Sequence, residues 1–571
     1  MAEISIGQFI FTRLAQLGVK SVFGVPGDYE LVILDMIPAA GLTWRGNPNE
    51  LIAGYAADGY ARVNGIGAFV TTFGPGELSA YCGMAGQYAE YATYDVQVPV
   101  VHIVGYPSTS AMKSRTVMHH SLGDGKFGMY QKMIKHITVA DTVLKDVDCA
   151  ASDIDRVLEA MLYHSRPVYI GVPVDIGPKT ISSSHLSRPL ITALPSNTDE
   201  EETELITEIT NLLTSRKSPV IVVDGGAVRF DLLEETRGII ESLKIPYFST
   251  AMSKGSISEQ LGSGKLFGGV YSGGGSPDTI RAAVEKSELV LFIGNYPSDF
   301  NTGEFTTQLE GQNIVDFQRF SVNIAGKSYN VTSKHLLQKL VQHLSFISLT
   351  PCDVSWDPYP NDKYENLGNL VQDFLWPTLG RYFRANDFII AETGTSSYGI
   401  PAANLMSVDN VRMYNQTVFG SIGYATGAAL GSFVAGKEDG SIKRGILITG
   451  EGSLQLTVQA LADYLRWGLN ATIFIVNNGG YTVERLIHGM DAPYNTIPIW
   501  RYEKLCETFG PDYPSQYHRV ETGAELVKLL NDERFNAAEC TQVVELILGR
   551  DDAPLAVKMA SAAVEAFNSR Q

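Results

Sequence analysis

Two short clusters in the last third of the chain combine residue types that could hold a metal ion and a phosphate. Gly450-Glu451-Gly452-Ser453 directly follows the apolar run Ile446-Leu447-Ile448-Thr449, and Asn477-Asn478-Gly479-Gly480 directly follows Ala471-Thr472-Ile473-Phe474-Ile475-Val476. A carboxylate (Glu451), an amide oxygen (Asn478) and a backbone carbonyl are hard oxygen donors that suit Mg²⁺ or Ca²⁺, with phosphate oxygens and water completing the shell. Glycines let the backbone approach a phosphate closely, and a helix N-terminus offers free N–H groups. The apolar spacing of Leu454, Val458, Leu461 and Leu465 predicts a helix over about residues 454–467, stopped by Gly468. Two parallel strands joined by that helix bring both loops to one sheet edge, where open α/β sheets bind ligands. A lone Gly-x-Gly after a strand is ordinarily a tight turn. Here a Gly-acid-Gly turn and an Asn-Asn pair end two successive strands, with 24 residues between Gly452 and Asn477, and that combination is far more specific.

Other candidates are weaker alone. Asp28 follows Pro26-Gly27 and has the ordinary reading of a turn residue. His119-His120 lies in a polar loop without metal-ligand spacing, where solvated surface is the usual outcome. Glu484 opens a helix after Tyr481-Thr482, where an acid complements the helix dipole. Asn47 and Glu50 have the spacing of a capping box, and spacing alone favours that cap.

The elements that must position these residues alternate between helical and strand patterns. Ile6, Phe9, Ile10, Arg13, Leu14 and Leu17 form one helical stripe ended by Gly18, and short apolar runs at 21–25, 69–73, 100–104 and 168–172 read as buried strands. Residues 177–199, rich in Pro, Ser and Thr, read as a linker. Strands are expected next at 220–223, 289–293 and 314–317, then a Pro- and Asp-rich stretch at 350–362, then strands at 388–391, 446–449 and 472–476. Continuous apolar strands separated by helices predict parallel sheets covered on both faces. The expected fold is α/β, with three doubly wound parallel-sheet domains at about 1–180, 195–345 and 360–571.

Composition narrows the function classes. Of 571 residues, 44% are apolar and 19% charged, which excludes wholesale disorder and coiled coil. A net charge of −18 argues against nucleic acid as a partner, since phosphate contacts need clustered Lys and Arg, and against an anionic membrane surface. No apolar run approaches the roughly 20 residues that span a bilayer. Five cysteines without CxxC spacing suit a reducing compartment, and no secretory, lipidation or peroxisomal pattern is present, so a cytoplasmic location is expected.

Gly450-Glu451-Gly452-Ser453 with Asn477-Asn478 resembles the thiamine-diphosphate motif of thiamine-dependent enzymes. The flanking 453–459 and 478–484 segments look like the pyruvate decarboxylases of fungi, and the resemblance extends over essentially the whole chain. It implies pyrimidine-binding, middle and diphosphate-binding domains in that order, thiamine diphosphate and Mg²⁺ as cofactors, and metal ligands Glu451, Asn478 and the Gly480 carbonyl. It implies that Glu50 bonds the cofactor's pyrimidine ring and that Asp28, His119, His120 and Glu484 relay protons, the His-His pair separating this group from related synthases and oxidases. Cofactor contacts are implied at Thr393 and Thr395, at Gly420, Ser421 and Ile422, at Gly450, Gly452 and Ser453, and at Tyr481 and Thr482. The reaction implied is non-oxidative decarboxylation of a 2-oxo acid, pyruvate first, to an aldehyde and CO₂ through the cofactor's ylid. The active site would lie between two subunits of a homodimer or a dimer of dimers.

The sequence departs from the family pattern in places. Glu451 stands where the family usually has Asp, so either the loop shifts or the carboxylate binds differently. Pro75 and residues 91–97 also depart, and Gly225-Gly226-Ala227 occupies the place of a regulatory cysteine in some yeast enzymes. Val483, Ser397, Phe300 and Ile487 are candidate substrate-pocket residues. Phenylpyruvate, indolepyruvate or a branched-chain 2-oxo acid remain alternative substrates. An acetolactate-synthase-like carboligase and a catalytically degenerate assembly or regulatory homologue remain alternative functions.

Overall fold

The computed structural model describes residues 2–90, 98–345, 347, 349 and 353–568. The first unit holds β1 (Glu3–Ser5), β2 (Ser21–Gly24), β3 (Thr43–Gly46), β4 (Gly67–Thr72), β5 (Val100–Tyr106), β6 (Ala140–Val143), β7 (Val168–Pro173) and β8 (Thr180–Ser182). Six of these form an all-parallel sheet ordered β3-β2-β4-β5-β7-β6. The middle unit has β9 (Val220–Val223), β10 (Tyr247–Ser249), β11 (Phe267–Val270), β12 (Val290–Ile293), β13 (Ile314–Phe317), β14 (Val322–Ile324) and β15 (Lys327–Tyr329). Its sheet, β11-β10-β9-β12-β13-β14-β15, is parallel except for the last two strands. The third unit has β16 (Asp387–Ala391), β17 (Arg412–Asn415), β18 (Arg444–Gly450), β19 (Thr472–Asn477), β20 (Ser515–Val520) and β21 (Thr541–Ile547), all parallel, ordered β17-β16-β18-β19-β21-β20. Three α/β units with mainly parallel sheets are thus present, as the alternation of apolar runs and helices predicts.

The first and third sheets share one topology. In each, the second strand lies outside the first, followed by the third, fourth, sixth and fifth. Strand order therefore reverses between β2 and β4, and again between β16 and β18, and the carboxyl ends of such strands border the ligand crevice of an open sheet. Equivalent helices of the two units, Glu50–Asn64 and Tyr424–Asp439, pack directly on each other. Their backbones touch: a Cβ on Gly59 would meet the Ala428 carbonyl at 1.8 Å, and one on Gly431 the Ala56 carbonyl at 1.8 Å. One apolar core accordingly runs from the first unit into the third, while the middle unit has cores of its own.

Three local expectations are corrected. Residues 177–199 are not all linker, because β8 pairs antiparallel with β1 and ties the amino-terminal segment down. The helix expected over 454–467 starts earlier, at Glu451, and is split by a 3₁₀ turn at Val458–Ala460. The cap of the Glu50–Asn64 helix is Asn49, whose Oδ1 accepts from the Ile52 N–H at 2.8 Å. Asn47 is occupied elsewhere, accepting from the Gly24 N–H and donating to Asp463. Pro75 is accommodated as the first residue of the helix Pro75–Ala89, where its missing N–H is not needed. Residues 91–97 and Cys352 lie outside the described residues. Among the described residues, no helix is long and apolar enough to cross a membrane.

Candidate active site

Glu451 and Asn478 converge because β18 and β19 are parallel neighbours that end together, Gly450 pairing with Val476. Glu451 is buried, and its Oε1 accepts from the backbone N–H of Gly480 at 2.7 Å and of Asn478 at 3.3 Å. The longer glutamate arm thus reaches back to the loop after β19. Burial pushes its pKa up to about 7, against the bonds from that loop. Asn478 is 6% exposed, yet its Oδ1 is buried without a hydrogen-bond partner. An orphaned amide oxygen beside a carboxylate has the donor chemistry that a hard cation takes. The loop is held by Arg485, which donates to the carbonyls of Asn478 and Gly479. Gly452 lets the Tyr481 ring lie on the turn, since a Cβ there would meet it at 2.7 Å.

The facing segments come from β16 and from the loop after β17. Thr393 is half-buried and Thr395 buried; Gly394, between them, has φ +114°, and a Cβ there would meet nothing within 4 Å, leaving open space over the backbone. The Gly420-Ser421-Ile422 segment is fixed from the first unit: Tyr55 Oη and Ser421 Oγ are 2.7 Å apart, and Glu90 accepts from the N–H groups of Val418 at 2.9 Å and Phe419 at 3.0 Å. Glu90 is in turn paired at 3.1 Å with Arg229 of the middle unit, on the helix opened by Gly225-Gly226. Ile422 is half-buried, so it is not a core residue. Thr482 is buried, and Glu484 is exposed in the first turn of the helix Thr482–Ile487.

On the first unit, His119 Nε2 and Asp28 Oδ2 are 2.7 Å apart, and His120 Nε2 lies 3.9 Å from Asp28 Oδ1. Tyr29 stacks on the His119 ring at 4.8 Å, and Tyr130 Oη donates to the His120 carbonyl. The Asp28 and His119 side chains are about half exposed, 51% and 53%. Glu50 heads its helix, with its carboxyl against the Pro75-Gly76 turn: a Cβ on Gly76 would meet Glu50 Oε1 at 3.2 Å. No hydrogen bond or ion pair among the described residues spans the Asp28–Glu50 group and the Glu451–Glu484 group.

Two buried acids here are not announced by any local pattern. Glu392, at the end of β16, is fully buried, with a pKa pushed up to about 8 by burial against the N–H groups of Thr393 and Ala425. Glu30, two residues past Asp28, is also fully buried. Acidic residues in loops are normally solvated, and only the tertiary fold reveals burial.

Comparison with known proteins follows the same division. Residues 4–129 match the N-terminal TPP binding domain of thiamine pyrophosphate enzymes, 206–337 their central domain and 394–544 their C-terminal TPP binding domain. The chain belongs to the thiamine pyrophosphate enzyme family. It is 41% identical over 558 residues to a pyruvate decarboxylase of Aspergillus terreus, covering 97% of this chain and 96% of the relative. It is 40% identical over 559 residues to a pyruvate decarboxylase of Kluyveromyces lactis, 97% of each chain. It is 39% identical over 576 residues to pyruvate decarboxylase isozyme 1 of Saccharomyces cerevisiae, at full coverage of both. For a thiamine pyrophosphate enzyme the donor set fits: a buried carboxylate, an unpartnered amide oxygen and the uncovered turns at Gly394 and Gly450 together suit a metal-bound diphosphate.

Of the four candidate substrate-pocket residues, Phe300 and Ser397 line one cavity of about 390 Å³, together with Tyr398, Trp376 and Met559. Val483 and Ile487 are half-buried on the helix Thr482–Ile487 and are not part of its lining.

Proposed function

We propose that the protein is a non-oxidative 2-oxo-acid decarboxylase that converts pyruvate to acetaldehyde and CO₂ with thiamine diphosphate and Mg²⁺. The observation that carries the reading is the Asp28–His119–His120 cluster, 2.7 and 3.9 Å between side chains, in a chain alike over its full length to proteins named pyruvate decarboxylase. A carboligase has no need of such a proton-donating cluster at the reacting carbon.

Bound thiamine diphosphate supplies a nucleophilic carbon and an electron sink for the pair released with CO₂. Glu451, Asn478 and the Gly480 carbonyl would hold the Mg²⁺, which neutralises the diphosphate. Gly450, Gly452, Ser453, Thr393, Thr395, Tyr481 and Thr482 would hold the diphosphate and pyrimidine, and Gly420, Ser421 and Ile422 would support the cofactor between them. Glu50 holds a proton toward the pyrimidine ring nitrogen. Asp28, His119, His120 and Glu484 deliver a proton to the substrate-derived carbon once CO₂ has left. Tyr29 stacking fixes the His119 ring for that transfer. General acid–base groups contribute about 10²–10⁴-fold each.

The working unit is at least a homodimer, with Asp28 and Glu50 of one chain meeting Glu451 and Glu484 of its partner. Two features support this: the proton-handling side chains are half exposed on the single chain, and exposed apolar residues, among them Leu31, Leu122, Phe419 and Leu456, neighbour the site segments. Light scattering should give at least twice the 62.2 kDa chain mass, and a fully active monomer contradicts this. A reducing, cytoplasmic setting suits Cys82, Cys149, Cys506 and Cys540, all free thiols.

The test of the functional reading is Glu50→Gln. It should retain cofactor binding and its melting temperature and lose at least about 10²-fold in aldehyde formation. Unchanged turnover in that variant would refute the assignment.

A further inference from the structure

Glu30 sits beneath the turn that carries Asp28. It is fully buried, and neither of its carboxyl oxygens has a hydrogen-bond partner. Its surroundings are fitted closely to it. A Cβ on Gly27 would come within 2.8 Å of Glu30 Oε1, and one on Gly105, at the end of β5, within 2.6 Å of Oε2. Thr72, at the end of β4, stands between two acids. The same Gly27 Cβ would lie 2.8 Å from Thr72 Oγ1, while a Cβ on Gly76 would touch Thr72 Cγ2 at 3.0 Å and Glu50 Oε1 at 3.2 Å. The threonine hydroxyl therefore faces Glu30 and its methyl faces the Glu50 side. Thr72 Oγ1 is itself buried and unpartnered, lying beside the Glu30 carboxyl but out of hydrogen-bond geometry.

A fully buried carboxyl with no cation beside it, and with only the poorly aligned Thr72 hydroxyl and Gly27 N–H as donors, favours its neutral form, because those donors do not compensate its desolvation. The charged group that faces it is Asp28, of like sign, whose own partners are His119 and His120. Glu50 is the other acid nearby, on the far side of Thr72.

We propose that Glu30 is a positioning residue for the proton-delivering cluster: kept as a neutral acid it lets Asp28 and His119 stay engaged and able to release a proton, and its ionisation sets the alkaline limit of turnover. Burial raises its pKa to about 8, against the Thr72 hydroxyl and the Gly27 N–H and with a smaller push from the Asp28 charge, within reach of ordinary assay conditions. Once ionised, it places a second negative charge beneath the Asp28 turn. That charge repels the Asp28 carboxylate, whose 2.7 Å engagement with His119 the proton delivery needs. It also draws water toward the turn and pulls Asp28 away from His119. The inference rests on the decarboxylase reading.

The test is the pH profile of kcat/KM for aldehyde formation in wild type, E30Q and E30N, with melting temperature and cofactor binding measured alongside. Wild type should fall about tenfold per pH unit above about pH 8. Both amides keep the site neutral, so they should fold, retain most activity near pH 7, and hold it about ten- to a hundredfold better than wild type by about pH 10. A wild-type profile flat across that range, amide variants with the same alkaline fall as wild type, or failure of both neutral amides to fold would each overturn the proposal. A wild type that forms no aldehyde near pH 7 would instead defeat the decarboxylase reading. The Glu30 claim would then be decided by infrared difference spectra of wild type minus E30Q, which must show a protonated-acid carbonyl band near pH 7 that disappears above about pH 9.

Discussion

Cofactor capture should be coupled to a proton at Glu451. A metal ligand must be the carboxylate, and in the cofactor-free protein Glu451 is 3% exposed, with burial holding its pKa up at about 7. The ordinary glutamate value is near 4.5, so about 2.5 units of proton affinity separate the folded site from the unfolded chain, on the order of 3 kcal/mol. The sign is that of a raised acid. The cofactor-free protein has this contribution in full below about pH 4.5 and loses it as pH rises through about 7, whereas the metal binds the ionised form and restores stability at high pH. The perturbation is therefore pH alone. Below about pH 7 each unit should weaken the apparent affinity for Mg²⁺ with thiamine diphosphate about tenfold, and above about pH 8 the affinity should level off. The assay is calorimetric titration at several pH values in buffers of different ionisation enthalpy. These should report release of close to one proton per site near pH 6 and little near pH 8. Glu451→Gln should bind weakly and lose the pH dependence. Affinity independent of pH between about 5.5 and 8, with no proton released, would refute the reasoning.

Two further predictions concern what holds the site together. Arg229→Ala leaves the Glu90 carboxylate buried without its cation while it still accepts from the Val418 and Phe419 N–H groups. Thermal melting should show a loss of about 3 kcal/mol, and cofactor affinity should fall as the Gly420 loop loosens; an unchanged melting temperature contradicts the arrangement. Gly59→Ala drives a methyl into the Ala428 carbonyl, 1.8 Å from the built Cβ, so soluble yield and cofactor binding should drop together, and a variant with wild-type melting and turnover would count against the close approach of the two helices.

The meeting of Glu451 and Asn478 at one sheet edge was legible in the sequence because both residues are local to strand ends. Once β18 and β19 are recognised as parallel neighbours, Glu451 and Asn478 must come together. The fold class was legible for a similar reason, since strands buried on both faces leave continuous apolar runs. What stayed hidden depends on distant partners. Asn47 has the spacing of a cap, but the tertiary fold spends it on Gly24 and Asp463 and leaves the cap to Asn49. β1 and β8 are three residues each, too short to show a period, and they lie far apart in the chain, Glu3 being 177 positions from Thr180. The helix after Gly450 begins at Glu451 because the turn glycine ends the strand without a separate loop. The burial of Glu30 and Glu392 comes from residues on other strands, and no local pattern announces it.

The central claim is tested most directly by incubating the purified protein with thiamine diphosphate, Mg²⁺ and pyruvate, and identifying the products alongside a panel of larger 2-oxo acids. Acetaldehyde and CO₂ in equal amounts are the result predicted. Acetolactate as the main product, or bound cofactor with no aldehyde from any acid, would contradict it.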